Sequence, residues 1–176
     1  MNRTMTSILL ALLCLCLGAC TTLRSKGETP LSAKEVWGLS PLANNTETPY
    51  ASERATSITS ALLRARGIQS LEIRQDESKA EEGILRQKQP SPSEALDWAR
   101  QRNIRFLVTG TVTEWRYKVG LDGEPAAGVT MQIIDVPSAK VVWSAASGKS
   151  GWSREALSSV GQQLIYGLLE TVPLLP

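Results

Sequence analysis

The chain contains no histidine, and its three cysteines, Cys14, Cys16 and Cys20, all fall within the first twenty residues. Without imidazole it lacks the usual general base, the commonest metal ligand and any Ser-His-Asp arrangement. Beyond position 20 no disulfide or cysteine-based metal site can form. No apolar run reaches the roughly 20 residues that a bilayer-spanning helix requires. Charge of one sign is also scarce: 19 Lys and Arg against 17 Asp and Glu leave a formal net charge of +2. No basic run supplies a nucleic-acid footprint. Phenylalanine occurs once, against five tryptophans. Catalysis would have to rest on Asp, Glu, Ser, Lys or Tyr, and the residues imply no cofactor and no metal.

The amino-terminal end carries what the rest lacks. Arg3 gives a positive start, and an apolar stretch follows from Ile8 to Leu17. That stretch is too short to span a bilayer and has the order of an export signal. Its ending, Leu17-Gly18-Ala19-Cys20, resembles the bacterial lipobox, in which the cysteine thiol takes a diacylglyceryl group and cleavage occurs just before it. Small residues at 18 and 19 let a peptidase close around the cut. Each buried methylene contributes about 0.8 kcal/mol, and a single acyl chain holds only marginally. The lipoprotein class resembled here carries three, which makes attachment effectively permanent. Thr21 follows, where an aspartate is a familiar inner-membrane retention signal, so the outer membrane is favoured. The expected organisation is a signal peptide over 1–19, a lipidated tether over 20–34 and a single α/β periplasmic domain over 35–176. Removing the signal takes Arg3 and no acid, and leaves about 157 residues, enough for one core.

Residues 21–34 are polar and without periodicity, as a tether would be. Glu35 to Leu42 is a short apolar run ended by Pro41, consistent with a strand, and ANNTETP from Ala43 to Pro49 is a loop. Tyr50 to Arg66 places Ala55, Ile58, Leu62 and Ala65 at helical spacing and stops at Gly67. Leu71 to Arg74 is a short strand candidate, and the charged run Asp76 to Gln89 suits helix or loop. Ser91-Pro92-Ser93-Glu94 opens a second helix with a capping hydroxyl and an acid near the positive helix end. Its packing face is Ala95, Leu96, Trp98 and Ala99.

The second half is more regular. Arg105 to Tyr117 alternates, with Val108, Gly110 and Val112 on one face and Thr109, Thr111, Thr113 and Trp115 on the other. Val129 to Val136 follows, with Val129, Met131 and Ile133 on one face. After a turn through Pro137, Lys140 to Ala146 puts Val141 and Trp143 on one face. Three strands with short connections predict an antiparallel meander. Ser153 to Glu170 predicts a closing helix with a stripe of Ala156, Leu157, Val160, Leu164 and Leu168. The fold class expected is α/β: a small mixed sheet ending in an antiparallel meander, with helices packed on it.

Several of these segments carry a likeness. The stretch from Val108 to Ile165 resembles the PelC family, outer-membrane lipoproteins of Pel exopolysaccharide export. The pieces that carry it are YKVGLDGEP at Tyr117 to Pro125, the D-x-x-x-x-K-V-V-W hairpin from Asp135 to Trp143, and SGWSRE at Ser150 to Glu155. The early VWGLSPLANNTETPYASERA segment fits as well. The hairpin by itself also recurs in TolB amino-terminal, CsgG and LpoB types, and Ala139 stands where a glycine is often found. The resemblance implies a homo-oligomeric ring, dodecameric in the family, on the periplasmic side of the outer membrane. It implies outer-membrane lipid, a β-barrel exporter and a cationic exopolysaccharide as partners, with no nucleic acid. It also implies that a tryptophan at the motif position of Trp152 touches the membrane interface, and that acidic residues steer the polymer, for which Asp122 and Glu124 are candidates.

Each of these residues has a plainer alternative. Trp152 would otherwise be a core tryptophan, as Trp37, Trp98, Trp115 and Trp143 are expected to be. Asp122 and Glu124 would otherwise serve only the turn at Gly123, and the run Arg74 to Lys88 a solvated face. Glu114 and Asp135 are the two carboxylates that glycosidase chemistry would need. The alternative function is a periplasmic adaptor that activates a cell-wall or secretion machine in the LpoB or CsgG manner. Such proteins carry a long reach before the fold, whereas 20–34 spans only about 20 Å as a flexible coil.

Overall fold

The structure, a computed structural model, describes residues 21–27, 29–75, 91–120 and 123–175. A seven-stranded mixed sheet is formed by β1 (Thr21–Lys26), β3 (Trp37–Leu39), β4 (Ala43–Asn44), β5 (Leu71–Ile73), β6 (Phe106–Tyr117), β7 (Pro125–Asp135) and β8 (Lys140–Ser150). Its order is β1-β8-β7-β6-β3-β5, with β4 also on β6. The expected meander is present: β6, β7 and β8 are antiparallel neighbours. β3 lies parallel between β5 and β6. A small parallel pair joins β2 (Leu31–Ser32) to β9 (Leu174–Leu175). Helices α1 (Ala51–Ala65) and α3 (Leu157–Glu170) pack on one face, and α2 (Pro92–Gln101) packs on the other.

The segment expected as a tether enters the fold. β1 runs antiparallel along β8, with Thr21 opposite Lys149 and Lys26 opposite Ser144. All six β1 residues are exposed, so the pairing is made by the backbone and leaves no hydrophobic period to read. The charged run 76–89 lies outside the described residues.

Two bulges rearrange the alternation predicted for the long strands. Val112 pairs with Val129 and Glu114 with Gly128, so Thr113 is an extra residue. One added residue moves everything after it to the other face. Trp115 therefore joins Val108 and Val112 in the main core instead of the threonine face. In β8 the register shifts between Ile133 opposite Trp143 and Ile134 opposite Val141. Trp143 is buried, Val141 faces outward, and Val142 packs against the core.

The helices follow the same logic. α1 buries Ala51, Ser52, Ala55, Thr56, Thr59 and Leu63; Ile58 and Leu62 lie at its margin, and Ala65 is exposed. The two buried threonine hydroxyls are hydrogen-bonded, which makes that face tolerable: Thr59 donates to the Ala55 carbonyl at 2.7 Å and Thr56 accepts from the Leu42 amide at 2.9 Å. α2 starts on the predicted cap, a full capping box of Ser91 and Glu94. α3 begins at Leu157, four residues after the predicted start, and its buried stripe includes Gly161, Ile165 and Leu169. The β7–β8 turn holds Ala139 at φ 55°, the left-handed region that a glycine would occupy without strain.

The tryptophan excess has a packing explanation. A β-carbon on Gly161 would overlap the Trp115 ring, one on Gly27 would lie 2.6 Å from Trp143, and one on Gly38 would lie 3.0 Å from Trp98. Each glycine lets a large ring lie directly on backbone. Trp37 packs against Phe106 with the rings tilted by 49° and 5.0 Å between their centroids. The buried indole N–H groups of Trp37 and Trp143 donate to the Ser32 carbonyl and Thr171 hydroxyl at 3.1 and 3.2 Å.

A helix-interior glycine replaced by alanine ordinarily gains about 1 kcal/mol. Gly161→Ala should do the reverse here and destabilise by about 1–3 kcal/mol, because Trp115 must shift. Urea denaturation of both proteins measures the sign.

Candidate functional site

One end of the sheet gathers two turns and the start of β1. The β6–β7 hairpin closes there, with Tyr117 opposite Pro125 and the Lys118 amide donating to the Glu124 carbonyl at 2.7 Å. β8 ends beside it: Ala126 pairs with Ser150, and the Gly151 amide donates to the Pro125 carbonyl at 2.8 Å. The Lys118 ammonium donates to the Ser150 hydroxyl at 2.7 Å. Thr21, opposite Lys149, brings the chain into the fold at this same end.

The turn between β8 and α3 accounts for the SGWSRE motif. Gly151 is buried, and a β-carbon there would run into the Glu155 carboxylate and Val160. The Glu155 amide donates to the Trp152 carbonyl at 2.9 Å, and the Trp152 amide donates to the Glu155 carboxylate at 3.3 Å. That closed ring of bonds fixes the backbone of Trp152 while its indole stays outside. Trp152 is 59% exposed, while Trp37, Trp115 and Trp143 are fully buried. It precedes α3 rather than beginning it. The plainer reading of Trp152 as a core residue is therefore not what the structure shows.

α3 has Ala156 at its N-cap, with no side chain to bond the first amides. Tyr117 supplies the missing acceptor from the hairpin, its phenol oxygen taking the Leu157 amide at 3.1 Å. Tyr117 remains 52% exposed, and Val119 at the hairpin tip is fully exposed. The result is an end that presents Trp152, Tyr117 and Val119 beside Lys118. Aromatic rings with a polar handle concentrate at membrane–water interfaces. No helix among the described residues is long and apolar enough to cross a membrane.

Of the residues singled out in the sequence, the structure brings Trp152 and Glu124 to this one end. Glu124 is exposed, and its carboxylate lies 4.0 Å from Lys118, which shares its charge. Cys20 and Asp122 lie outside the described residues. Gly123 has φ 52°, the conformation for which the Asp-Gly pair suits a turn. The two carboxylates weighed for glycosidase chemistry do not form a pair. Asp135 sits opposite Phe106, and Glu114 is eight residues further along β6, roughly 26 Å away at the strand rise. A glycosidase pair stands about 5–9.5 Å apart. Asp135 closes the β7–β8 turn instead, accepting from the Ser138 amide at 3.2 Å and pairing with Arg105.

Tyr117 and Glu155 were not singled out from sequence. The signal for Tyr117 is negative: an alanine at a helix start needs an acceptor from elsewhere. Glu155 is legible only as the last letter of SGWSRE, since its partner is its own turn.

With this geometry in hand, the relatives are informative. The PelC dodecamer of Paraburkholderia phytofirmans is 39% identical, over 89% of this chain and 100% of that one, with a TM-score of 0.74. This chain belongs to the PelC family. A variant PelC dodecamer of that organism matches at 39% identity over 88% and 99% of the two chains, TM-score 0.72. Lipoprotein GNA1162 of Neisseria meningitidis shares the fold at 14% identity, over 78% and 97% of the chains, TM-score 0.56. No protein-family model and no curated protein matches the chain.

Tyr117→Phe removes the acceptor for the Leu157 amide and should destabilise by about 0.5–1 kcal/mol, since the helix start is exposed and water replaces part of the bond. Thermal unfolding of the variant measures it.

Proposed function

We propose that this protein is a lipid-anchored subunit of a homo-oligomeric ring on the periplasmic face of the outer membrane. It serves export of the Pel polysaccharide toward an outer-membrane barrel. Membership of the PelC family supports the ring, because the relative is a dodecamer. The anchoring is supported above all by one observation, the register of β1. Thr21 lies opposite Lys149, three positions short of Trp152. An acyl group on Cys20 is joined covalently to the residue before Thr21's amide, so lipid and indole attach to the same end of the sheet. Two contacts with one membrane then set the orientation of the domain, with the hairpin tip directed at the bilayer.

The action is one of position and charge rather than bond chemistry. Repeated around a ring, one acidic loop becomes many, and their fields add in a confined opening. Asp122 and Glu124 are the loop acids that would attract a cationic polymer, with the Glu124 charge shared with Lys118. The adaptor alternative requires a long free reach before the fold. Pairing of residues 21–26 with β8 takes most of that reach away.

Two outcomes test this reading. Trp152→Ala should leave the unfolding free energy within about 0.5 kcal/mol, and should weaken binding of the ring to phospholipid vesicles by roughly tenfold. Unaltered vesicle binding would rule out the membrane contact. Asp122→Lys should reduce the polymer secreted by a Pel-producing strain while the native mass of the ring is kept; full secretion would remove the steering role.

A further inference from the structure

The turn that carries Trp152 is tied down by one carboxylate. Glu155 lies two residues before α3, where an acid ordinarily bonds the free amides of the coming helix. Here it does not. The Leu157 amide goes to the Tyr117 phenol oxygen, and Ala156 at the N-cap has no side chain to offer. The Glu155 carboxylate turns back instead. One oxygen accepts from the Trp152 amide at 3.3 Å, and the other accepts from the Gln163 side-chain amide at 3.1 Å and the Ser159 hydroxyl at 3.4 Å. Gly151 keeps this space open, since a β-carbon there would collide with that carboxylate.

These bonds reach across the end of the sheet. Gln163 also accepts from the Lys149 ammonium, and Lys149 stands opposite Thr21, the residue after the position read as lipidated. A continuous set of hydrogen bonds therefore runs from β8 beside the start of β1, through α3, to the backbone of Trp152. The side chain above that backbone is left outside it. Trp152 is more than half exposed, and Ser153 and Arg154 after it are exposed as well. A connection from β8 to α3 could be closed by the Glu155 amide on the Trp152 carbonyl alone, at 2.9 Å. The carboxylate adds a second hold, on the amide of the one residue whose ring faces out.

We propose, on the membrane reading of Trp152 above, that Glu155 is the positioning residue of that contact: it locks the Trp152 turn to α3, so the indole meets the bilayer already ordered. An indole on a loose turn makes the same apolar transfer into the interface. Its turn must then be ordered at the moment of binding, and that cost is subtracted from the gain. A turn ordered beforehand avoids the subtraction. The length of the side chain is part of the fit, because one carboxylate must reach the Trp152 amide and the side chains of α3 together. A methionine has the reach without the acceptor, and a glutamine keeps one acceptor oxygen.

Brominated lipid quenches tryptophan emission only on close approach, which makes the indole its own probe. The full acylated chain is reconstituted in vesicles of phosphatidylethanolamine and phosphatidylglycerol doped with brominated phosphatidylcholine. The quenching lost in Trp152→Phe is the share of Trp152. Glu155→Met should lose at least about half of that share while its native mass in mild detergent stays that of the wild type. Glu155→Gln should keep most of it. Equal quenching in the wild type and Glu155→Met overturns the positioning role and leaves the membrane contact standing. Equal loss in the methionine and glutamine variants overturns the hydrogen-bonded lock. A Glu155→Met chain that loses its native mass or its unfolding transition assigns the residue to the fold and overturns the role as well. No difference between the wild type and Trp152→Phe overturns the membrane contact and the positioning role together.

Discussion

The contact on which the rest of the molecule depends is the Trp115 ring lying on Gly161. Burying a tryptophan is worth several kcal/mol, but here it also sets geometry. The extra residue Thr113 turns Trp115 to the helix side of β6, and the bare backbone of Gly161 lets α3 approach. With α3 so placed, its first amide meets Tyr117 of the hairpin, and the turn before it holds Trp152 outside. The same placement presents the uncharged side of α3 to the surroundings. Three features at different levels, a bulge, a glycine and an exposed indole, are therefore one construction.

Much of this was legible in the sequence. The meander of β6, β7 and β8 follows from alternation and short turns, and the start of α2 follows from Ser91 and Glu94. The family likeness was carried by segments that prove to be the hairpin, the β7–β8 turn and the turn at Trp152. What was not legible has physical reasons. Alternation assumes an unbroken register, and a single inserted residue at Thr113 or Val142 reverses the faces that follow. Backbone pairing of a fully exposed strand such as β1 leaves no trace in side-chain pattern. Buried Thr56 and Thr59 look polar in a one-dimensional reading because their partners, Leu42 and Ala55, lie elsewhere on the chain or one turn back. At the site, Trp152 stood out by its motif, while Tyr117 could not, since its role is to complete a helix 40 residues away.

A chain without histidine, and with its cysteines gathered in the first twenty residues, has few chemical tools. The two carboxylates that glycosidase chemistry would need are held far apart, Glu114 on β6 and Asp135 at the end of β7 in a turn with Arg105 and Ser138. What the structure offers is shape: an end with an exposed indole, a long sheet only partly covered on one face, and a helix with an uncharged back. Such a subunit gains its properties by multiplication, so that weak interactions at one turn or one loop become strong when many copies act together.

The register of β1 has a mechanical consequence. Load applied to the amino-terminal end of β1 along the strand axis is shared by six residue pairs, from Thr21 with Lys149 to Lys26 with Ser144. Such a strand is pulled in shear, and its bonds must give way together rather than peel one after another. A pull on that end would therefore strain the sheet as a whole before it could detach the strand.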